Sequence, residues 1–209
     1  GGTVVISEIE KFRNMGEGRK FDVLAAKIDN AINSAKDSLN TAAFGLGTGN
    51  GGKDIHGLQM LVPDDPTTGT VGGINRATFS FWRSKAVVDT GTAFNQLRAN
   101  MRSIYNQCSR GAFSEHPTTI LTTRTVMEGY ESLLTANERF DSKDNGEGGF
   151  KNEVLKFKGA KMAYDEACGA DRMYFLNEKS IKLYVAKGVF LRLGEQIEPS
   201  NQSIYVQKI

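Results

Sequence analysis

The amino-acid sequence predicts an α+β fold. Residues 21–44 carry apolar side chains at three- and four-residue steps, the period of an amphipathic helix, and a second such pattern follows in the middle of the chain. After residue 150 the pattern changes to short runs of β-branched and aromatic residues. Because strands and helices do not alternate regularly, the predicted order differs from that of a doubly wound nucleotide-binding fold.

The N-terminal half is predicted to contain one strand and two helices. Residues 3–9 are rich in β-branched side chains and predict a strand, followed by a polar turn. Residues 21–44 predict a helix of about six turns, whose apolar stripe consists of Phe21, Leu24, Ile28, Ile32, Ala35 and Leu39. The glycine-rich residues 45–52 predict a flexible loop at its end. A second helix is predicted over residues 84–110, with Gly111 at its C-cap.

The C-terminal half is predicted to be mostly β. A short strand over residues 118–122 precedes a third helix over residues 124–136, and the polar residues 141–149 predict a mobile surface loop. Strands are then predicted over residues 154–157, 161–164, 172–176, 181–185, 190–193 and 204–209.

The composition is that of an ordinary globular chain. Of the 209 residues, 39% are apolar and 24% charged, and no apolar run is long enough for a transmembrane helix, so we predict no membrane partner. No signal-peptide pattern opens the sequence, which favours residence in the cytoplasm. The two cysteines, Cys108 and Cys168, are predicted to be reduced thiols.

The charge is small in total and uneven along the chain. The net charge is only +2, yet residues 76–110 hold six arginine and lysine residues against Asp89 alone. Such a basic block faces nucleic acid, an acidic neighbouring subunit or plain solvent, and the sequence leaves these alternatives open.

Two phosphate-binding patterns overlap in the loop after the first helix. Gly47, Gly49 and Gly52 spell GxGxxG, and residues 47–53 spell GxxxxGK. Both motifs act at a turn from a strand into a helix, where backbone N–H groups converge on phosphate. Here a predicted helix precedes the loop, and Asp54 follows Lys53 where a P-loop has serine or threonine. The sequence therefore predicts no nucleotide site.

The titratable residues form no recognisable catalytic or metal-binding set. Asp54 lies near His56 in the sequence, but no third or fourth ligand stands at a helpful spacing. A nucleophilic pair of Cys108 and His116 is disfavoured because Cys108 falls on the apolar stripe of its predicted helix. We predict no catalytic residue, no metal and no cofactor, and hence a protein that is not an enzyme.

Residues 67–83, TTGTVGGINRATFSFWR, are the most informative stretch of the chain. A turn of small residues leads into an aromatic run that lies between two arginines. Glycine permits positive φ, and aromatic and arginine side chains are enriched where protein surfaces associate. The stretch predicts an intersubunit contact, and the candidate residues for it are Gly72, Gly73, Arg76, Phe81, Trp82 and Arg83.

Three stretches of the sequence resemble a known family. Residues 70–83, TVGGINRATFSFWR, are similar to a segment of tailed-bacteriophage major capsid proteins in which a glycine-isoleucine-polar-arginine turn leads into an aromatic strand. Residues 56–65, HGLQMLVPDD, resemble the segment just upstream, and residues 155–209 resemble the closing region. In that region the matching residues are Lys158, Gly159, Asp165, Arg172, Tyr174 to Asn177, Lys182 and Leu183. The similarity runs in order from about residue 20 onward.

The resemblance implies the Hong Kong 97-type capsid fold, with a long spine helix, a P-domain sheet and an A-domain. It implies that residues 1–20 are the end of an extended loop with its entry strand, and that residues 21–83 hold the spine helix and part of the P-domain. Residues 84–180 would be mainly A-domain, and residues 181–209 the return strands. Because such proteins usually carry an N-terminal arm and often further C-terminal residues, the chain is expected to be shortened at both ends.

The function that the resemblance implies is structural. The chain is expected to self-assemble into the hexamers and pentamers of an icosahedral phage head around double-stranded DNA, with other virion or scaffolding proteins as partners and non-specific contact to the packaged DNA. It would reside in the virion capsid after assembly in the cytoplasm of the bacterial host. The alternative is an encapsulin-like or gene-transfer-particle shell protein. A phosphate-using enzyme built on residues 45–53 is a disfavoured third hypothesis.

Overall fold

The computed structural model describes residues 3–13, 23–91, 94–111, 115–134, 155–169, 171–185, 187–188, 194, 196–197 and 204–208. Helices and strands are mixed in these residues, as an α+β fold requires. The chain divides into two compact units, one formed by Gly1–Thr41 with Leu183–Ile209 and the other by Ala42–Lys182. None of the described helices is long and apolar enough to cross a membrane.

The described elements follow one another in an irregular order of strands and helices. They are β1 (Thr3–Ser7), α1 (Glu8–Arg13), α2 (Val23–Phe44), α3 (Gly49–Gly52), α4 (Leu58–Leu61), β2 (Thr70–Val71), β3 (Ile74–Asn75), α5 (Leu97–Cys108), β4 (Thr119–Thr122), α6 (Arg124–Leu133), β5 (Lys156–Phe157), β6 (Ala160–Tyr164), β7 (Met173–Leu176), β8 (Gln196–Ile197) and β9 (Ile204–Lys208). Two short 3₁₀ turns, Ser80–Trp82 and Glu178–Ser180, complete them.

The first unit contains a three-stranded antiparallel sheet in the order β1-β9-β8. The register of β1 on β9 places Val5 opposite Val206, and that of β8 on β9 places Ile197 opposite the same residue. Along β1, Val4 and Ile6 are buried while Val5 is exposed, which is the alternation of a strand covered on one face.

Strand β1 ends two residues earlier than predicted. The Ser7 hydroxyl accepts a hydrogen bond from the Glu10 backbone N–H at 3.2 Å, and the Glu10 carboxylate accepts one from the Ser7 N–H at 3.2 Å. This reciprocal pair is a capping box, and it begins α1. The prediction of a strand through residue 9 was wrong because the S-x-x-E signal of residues 7–10 outweighs the β propensity of Ile9.

The long helix predicted over residues 21–44 is confirmed by α2, while Phe21 lies outside the described residues. Near its start, the Lys27 ammonium donates to the Glu10 carboxylate at 2.7 Å and to the Val5 carbonyl at 3.2 Å. These two bonds tie α1 and β1 to the helix. Along the apolar stripe, Ile28, Ile32, Ala35 and Leu39 stay partly exposed. In the described part of the structure the stripe is therefore only partly covered.

The second unit is built on a four-stranded mixed sheet in the order β5-β6-β4-β7. Strand β4 pairs parallel to β6 and antiparallel to β7, so that Ile120 stands between Met162 and Phe175. Strands β5 and β6 form an antiparallel hairpin. The strand predicted over residues 118–122 is thus confirmed as the central β4, which explains why Ile120 and Thr122 are completely buried.

Each face of this sheet carries its own apolar cluster. On one face α5 and α6 form the larger core, whose buried residues are Leu97, Met101, Tyr105, Ile120, Val126, Tyr130, Leu134, Ala160 and Met162. On the other face the last residue of α2, Phe44, packs with Cys168, Tyr174 and Leu176, and its ring centroid lies 6.3 Å from that of Tyr174. Fully burying side chains of this size stabilises the fold by about 1.5–3 kcal/mol each.

Gly57 lies directly against the end of α2. A Cβ at this position would come within 2.5 Å of the Ala42 carbonyl oxygen and 2.6 Å of the carbonyl oxygens of Ala43 and Gly45. Because all three atoms belong to the backbone, they cannot yield as a flexible side chain would. The packing of α4 after this turn depends on the missing side chain.

A two-point ion pair joins the turn after α4 to the loop before β7. The Arg172 guanidinium donates through Nε to Asp64 Oδ1 at 3.0 Å and through a terminal nitrogen to Oδ2 at 2.7 Å. Hydrogen bonding from Arg172 lowers the pKa of Asp64 below its ordinary value of 3.8. Since Asp64 is 71% exposed, the pair contributes little to stability.

The helix predicted over residues 84–110 is only half right, because α5 begins far later than residue 84. The preceding segment contains valines and a glycine, which are weak helix formers, and the Asp89 carboxylate accepts a bond from the Gly91 N–H at 2.8 Å. Phe94 then takes a positive φ of 63°. At the other end the C-cap is Ser109, so the cap predicted at Gly111 was wrong; Gly111, with a φ of 68°, lies beyond the end of the helix.

Most of the remaining elements agree with the sequence. Helix α6 confirms the helix predicted from residue 124, β6, β7 and β9 confirm three strands with slightly shifted ends, and β5 occupies the end of a fourth. Residues 181–185 were predicted as a strand, and this is wrong: they are assigned to no strand and pair with none of the described strands. The predicted loop at 141–149 and strand at 190–193 lie outside the described residues. Strands β2, β3 and β8 were not predicted.

Candidate assembly surface

The predicted contact segment begins with the hairpin β2–β3. Val71 pairs with Ile74, and the two residues between them, Gly72 and Gly73, have φ of 59° and 79°. Positive φ at both positions is what a two-residue hairpin turn requires, and glycine adopts it without strain. The hairpin is extended by a bond from the Arg76 N–H to the Gly69 carbonyl at 3.0 Å. The sequence predicted this turn, and the structure contains it.

Arg76 holds the hairpin to the rest of the second unit. Its side chain is buried, with only 4% of the residue exposed. The guanidinium donates to the Met60 carbonyl at 3.3 Å and also to the Leu61 carbonyl, so it binds the last residues of α4. A charged donor on backbone carbonyls makes a stronger hydrogen bond than a neutral one. Arg76 therefore fixes the position of the segment that follows.

Three aromatic residues, Phe79, Phe81 and Trp82, form what we call the aromatic cluster. The ring centroids of Phe79 and Phe81 are 5.8 Å apart, and those of Phe81 and Trp82 are 6.4 Å apart, both with edge-to-face geometry. The exposed fractions are 47% for Phe79, 76% for Phe81 and 41% for Trp82. A 3₁₀ turn over Ser80–Trp82 stands where the resemblance implied an aromatic strand, so that expectation was wrong.

Hydrogen bonds from side chains to backbone carbonyls of the same segment fix the position of the aromatic cluster. The Trp82 indole Nε1–H donates to the Val71 carbonyl at 3.1 Å, which joins the cluster to β2. Arg83 donates through Nε to the Arg76 carbonyl at 2.7 Å and through a terminal nitrogen to the Ala77 carbonyl at 2.8 Å. The indole N–H of Trp82 is therefore hydrogen-bonded within the segment, while the rings of the aromatic cluster stay exposed. The result is a pre-formed, exposed aromatic surface.

All six predicted contact residues are thus brought together, but they differ in placement. Phe81 and Trp82 are exposed, Gly72 and Gly73 form the turn, and the two arginines make internal bonds. Sequence reasoning missed that the arginines support the surface, because nothing in the sequence indicates which acceptors they find. The acceptors on α4 belong to a separate element, and only the fold brings them near.

The basic block of residues 76–110 does not form one positive face. Arg76 is buried, and Arg83 donates to backbone carbonyls. Among its six basic residues, those with exposed side chains are Lys85, Arg102 and Arg110. The charged groups of Arg76 and Arg83 therefore make hydrogen bonds within the chain.

The glycine-rich loop after α2 contains the irregular turn α3, in which Asn50 and Gly51 depart from helical φ and ψ. Helix α2 leads directly into this loop, so the strand that precedes phosphate-binding turns is not there. In the part of the chain that the structure describes, no group of three or more His, Cys, Asp or Glu side chains is placed to hold a metal ion.

Both cysteines are free thiols, as predicted. Burial raises the pKa of the Cys168 thiol and that of the half-buried Cys108 thiol above the ordinary value. A raised pKa lowers the thiolate fraction at neutral pH, and the thiolate is the nucleophilic form. Lys85 near Cys108 and Arg172 near Cys168 act to lower the thiol pKa, but burial is the larger effect at both cysteines.

Comparison with solved structures finds a similarity in fold. The sequence matches no protein-family model and no curated protein. Among solved structures, the chain is similar to a chain of the capsid asymmetric unit of Cyanophage A-1(L), with a TM-score of 0.57 and 21% identity. The match covers 84% of this chain and 54% of the capsid chain, so this chain spans about half the length of its structural neighbour. The two chains share a fold.

Proposed function

We propose that this chain is a structural subunit of a bacteriophage capsid with the Hong Kong 97-type fold. Copies of it would form the hexamers and pentamers of an icosahedral shell around double-stranded DNA. The observation that carries the proposal is the similarity in fold to a phage capsid chain. A shell subunit functions by association with its copies, so it needs exposed complementary surfaces and no reaction pocket.

The exposed apolar surface of the chain supports an associating subunit. Among the described residues, large apolar side chains that are exposed outnumber the apolar side chains that are buried. An aromatic side chain contributes about 150–250 Å², so the exposed fractions of the aromatic cluster leave roughly 300 Å² uncovered. Patches of this size on soluble proteins often mark interaction sites.

We assign the six candidate residues to two roles in the subunit contact. Phe81 and Trp82 contact the neighbouring copy, because their faces are exposed and their orientation is fixed. Arg76 and Arg83 hold these rings in place through backbone carbonyls, and the Gly72–Gly73 turn sets the start of the segment. Pre-formed aromatic anchors lose little entropy on binding, which favours hot-spot contacts.

The proposed capsid anatomy follows the elements of the fold. Helix α2 would be the spine helix, the sheet of the first unit would belong to the P-domain, and the mixed sheet with α5 and α6 would form the A-domain. The exposed Lys85, Arg102 and Arg110 are the candidates for salt-dependent contact with packaged DNA. Other virion or scaffolding proteins would be further partners, and the mature location would be the virion capsid, with assembly in the host cytoplasm.

The proposal is tested by the particles that the protein forms in cells. We expect closed shells in negative-stain images of the purified protein, with nucleic acid that survives nuclease treatment and a high ratio of absorbance at 260 to 280 nm. Shells filled with a co-purifying enzyme and no nucleic acid would instead identify an encapsulin-like compartment. Nuclease-protected host DNA of mixed sequence would identify a gene-transfer particle.

A further inference from the structure

Residues 181–185, Ile-Lys-Leu-Tyr-Val, form a segment that has no strand partner among the described residues. Ile181 has φ of −97° and ψ of 123°, and the segment belongs to neither of the larger sheets. Its side chains are exposed, with 50% for Ile181, 55% for Leu183, 87% for Tyr184 and 51% for Val185. An open edge with apolar side chains is a template for pairing with another strand.

The segment has the alternation of an amphipathic strand. In an extended chain successive side chains point to opposite sides, so Ile181, Leu183 and Val185 share one face. Lys182 and Tyr184 share the other. This pattern is the reason that the sequence predicted a strand here, and β-branched and aromatic residues favour one. Within the described residues the backbone of the segment pairs with no strand, although the Ile181 N–H donates to the Glu178 carbonyl at 3.3 Å, and the apolar face belongs to neither core cluster.

The order of residues in the segment favours antiparallel over parallel pairing between two copies of the chain. In an antiparallel pair centred on Leu183, each Ile181 stands opposite the Val185 of the other copy, and each Lys182 stands opposite Tyr184. Opposed lysine and tyrosine side chains attract through a cation–π contact. A parallel, in-register pair would place Lys182 opposite Lys182, and directly opposed like charges are destabilising. The segment is complementary to itself in the antiparallel direction only.

We propose that residues 181–185 of two copies of this chain pair as antiparallel strands about a two-fold axis centred on Leu183. The pair satisfies backbone N–H and C=O groups on both chains and joins the two apolar faces into one. An isologous contact of this kind uses the same surface on both subunits. This pairing presupposes the proposed self-assembly and adds a second surface, distinct from the aromatic cluster.

Disulfide crosslinking with single cysteine variants tests the pairing and its register. Directly opposed residues in an antiparallel pair have Cα atoms about 4.5–5.5 Å apart, within the range that a disulfide spans. The assembled protein carrying Cys108→Ser is the background, because Cys168 is buried. Into it we introduce Leu183→Cys or, as the matched control, Tyr184→Cys. Crosslinking is started with copper phenanthroline and followed on non-reducing gels.

Leu183→Cys is expected to give covalent dimers at least about tenfold faster than Tyr184→Cys, because the two Tyr184 positions are diagonal neighbours about 7–8 Å apart. Tyr184 is the more exposed of the two, so random collision would give the opposite order. Co-assembled Lys182→Cys and Tyr184→Cys chains are expected to crosslink with each other, since these positions are directly opposed.

Two outcomes overturn the pairing. Equal crosslinking of Leu183→Cys and Tyr184→Cys indicates a parallel pair or collision. Shells that form without crosslinks at position 183 show that the segment has another neighbour, while the proposed capsid function stands. If no variant and no parent protein assembles, the capsid function fails. In that case crosslinked dimers at position 183 still decide the pairing, because a two-fold contact needs only two chains.

Discussion

Replacement of Phe81 by alanine tests whether this side chain contributes to assembly or to the stability of the folded subunit. Phe81 is 76% exposed, so truncation removes few contacts within the subunit and the free energy of unfolding should change by less than about 0.5 kcal/mol. In the proposed subunit contact a neighbour would cover the exposed part, roughly 150 Å² of the ring. At about 25 cal/mol per Å², and allowing for the area that alanine keeps, the loss is about 2–3 kcal/mol per contact.

A loss of this size lowers the association constant of each contact by roughly 30- to 150-fold. Sedimentation velocity over a range of protein concentrations measures it, because the midpoint of assembly should move to higher concentration. The matched control is Tyr164→Ala, which truncates an aromatic side chain that is 54% exposed on β6, outside the aromatic cluster. Urea denaturation of both variants verifies that the subunits remain folded.

The contact assigned to Phe81 would be refuted if Phe81→Ala assembled at the same concentration as the parent protein while Tyr164→Ala did not. It would also be refuted if Phe81→Ala unfolded at a much lower urea concentration, because that ring would then belong to a core. Either result would remove the aromatic cluster from the proposed contact.

Three further predictions concern the framework around the aromatic cluster. Arg76→Ala should lower the free energy of unfolding by about 2–4 kcal/mol in urea titrations, because two carbonyls of α4 lose a charged donor; an unchanged midpoint would exclude this role. Gly57→Ala should cost about 1–3 kcal/mol, since the new Cβ meets backbone oxygens, and a neutral result would contradict the close packing. Asp64→Asn should cost roughly 0.2–1 kcal/mol at pH 7. The folded-state pKa of Asp64 lies below its ordinary value of 3.8, so the ion pair stabilises the fold above pH 3.8 and stops doing so as the pH falls through the folded-state pKa. Calorimetry should therefore find that the difference in stability between the parent protein and Asp64→Asn disappears at low pH. A difference that stays constant with pH would contradict the assignment.

The sequence predicted the elements whose signals are local. The apolar stripe of α2 recurs over many turns, so its helix was predictable along almost its whole length. The glycine pair in the β2–β3 turn was equally clear, because its conformation is a property of those two residues. Where a local cap competed with a propensity, as at Ser7, the strand was predicted too long.

Features that depend on the fold were not predictable from the sequence. Arg76 looked like a surface residue until α4 supplied its acceptors, and no spacing rule links these segments. The β propensity of residues 181–185 is real, but a strand also needs a partner, and pattern alone cannot supply one. The segment before α5 follows the helix period in part, but it is not helical, because valines are weak helix formers and the Asp89 carboxylate accepts a bond from the Gly91 N–H.

The most direct measurement of the central claim is electron microscopy of the purified protein after expression in a bacterial host. The capsid proposal predicts rings of five or six subunits, or closed shells of uniform diameter, that appear as the concentration of the protein rises. A protein that sediments as a monomer at every concentration and forms no particles would contradict it.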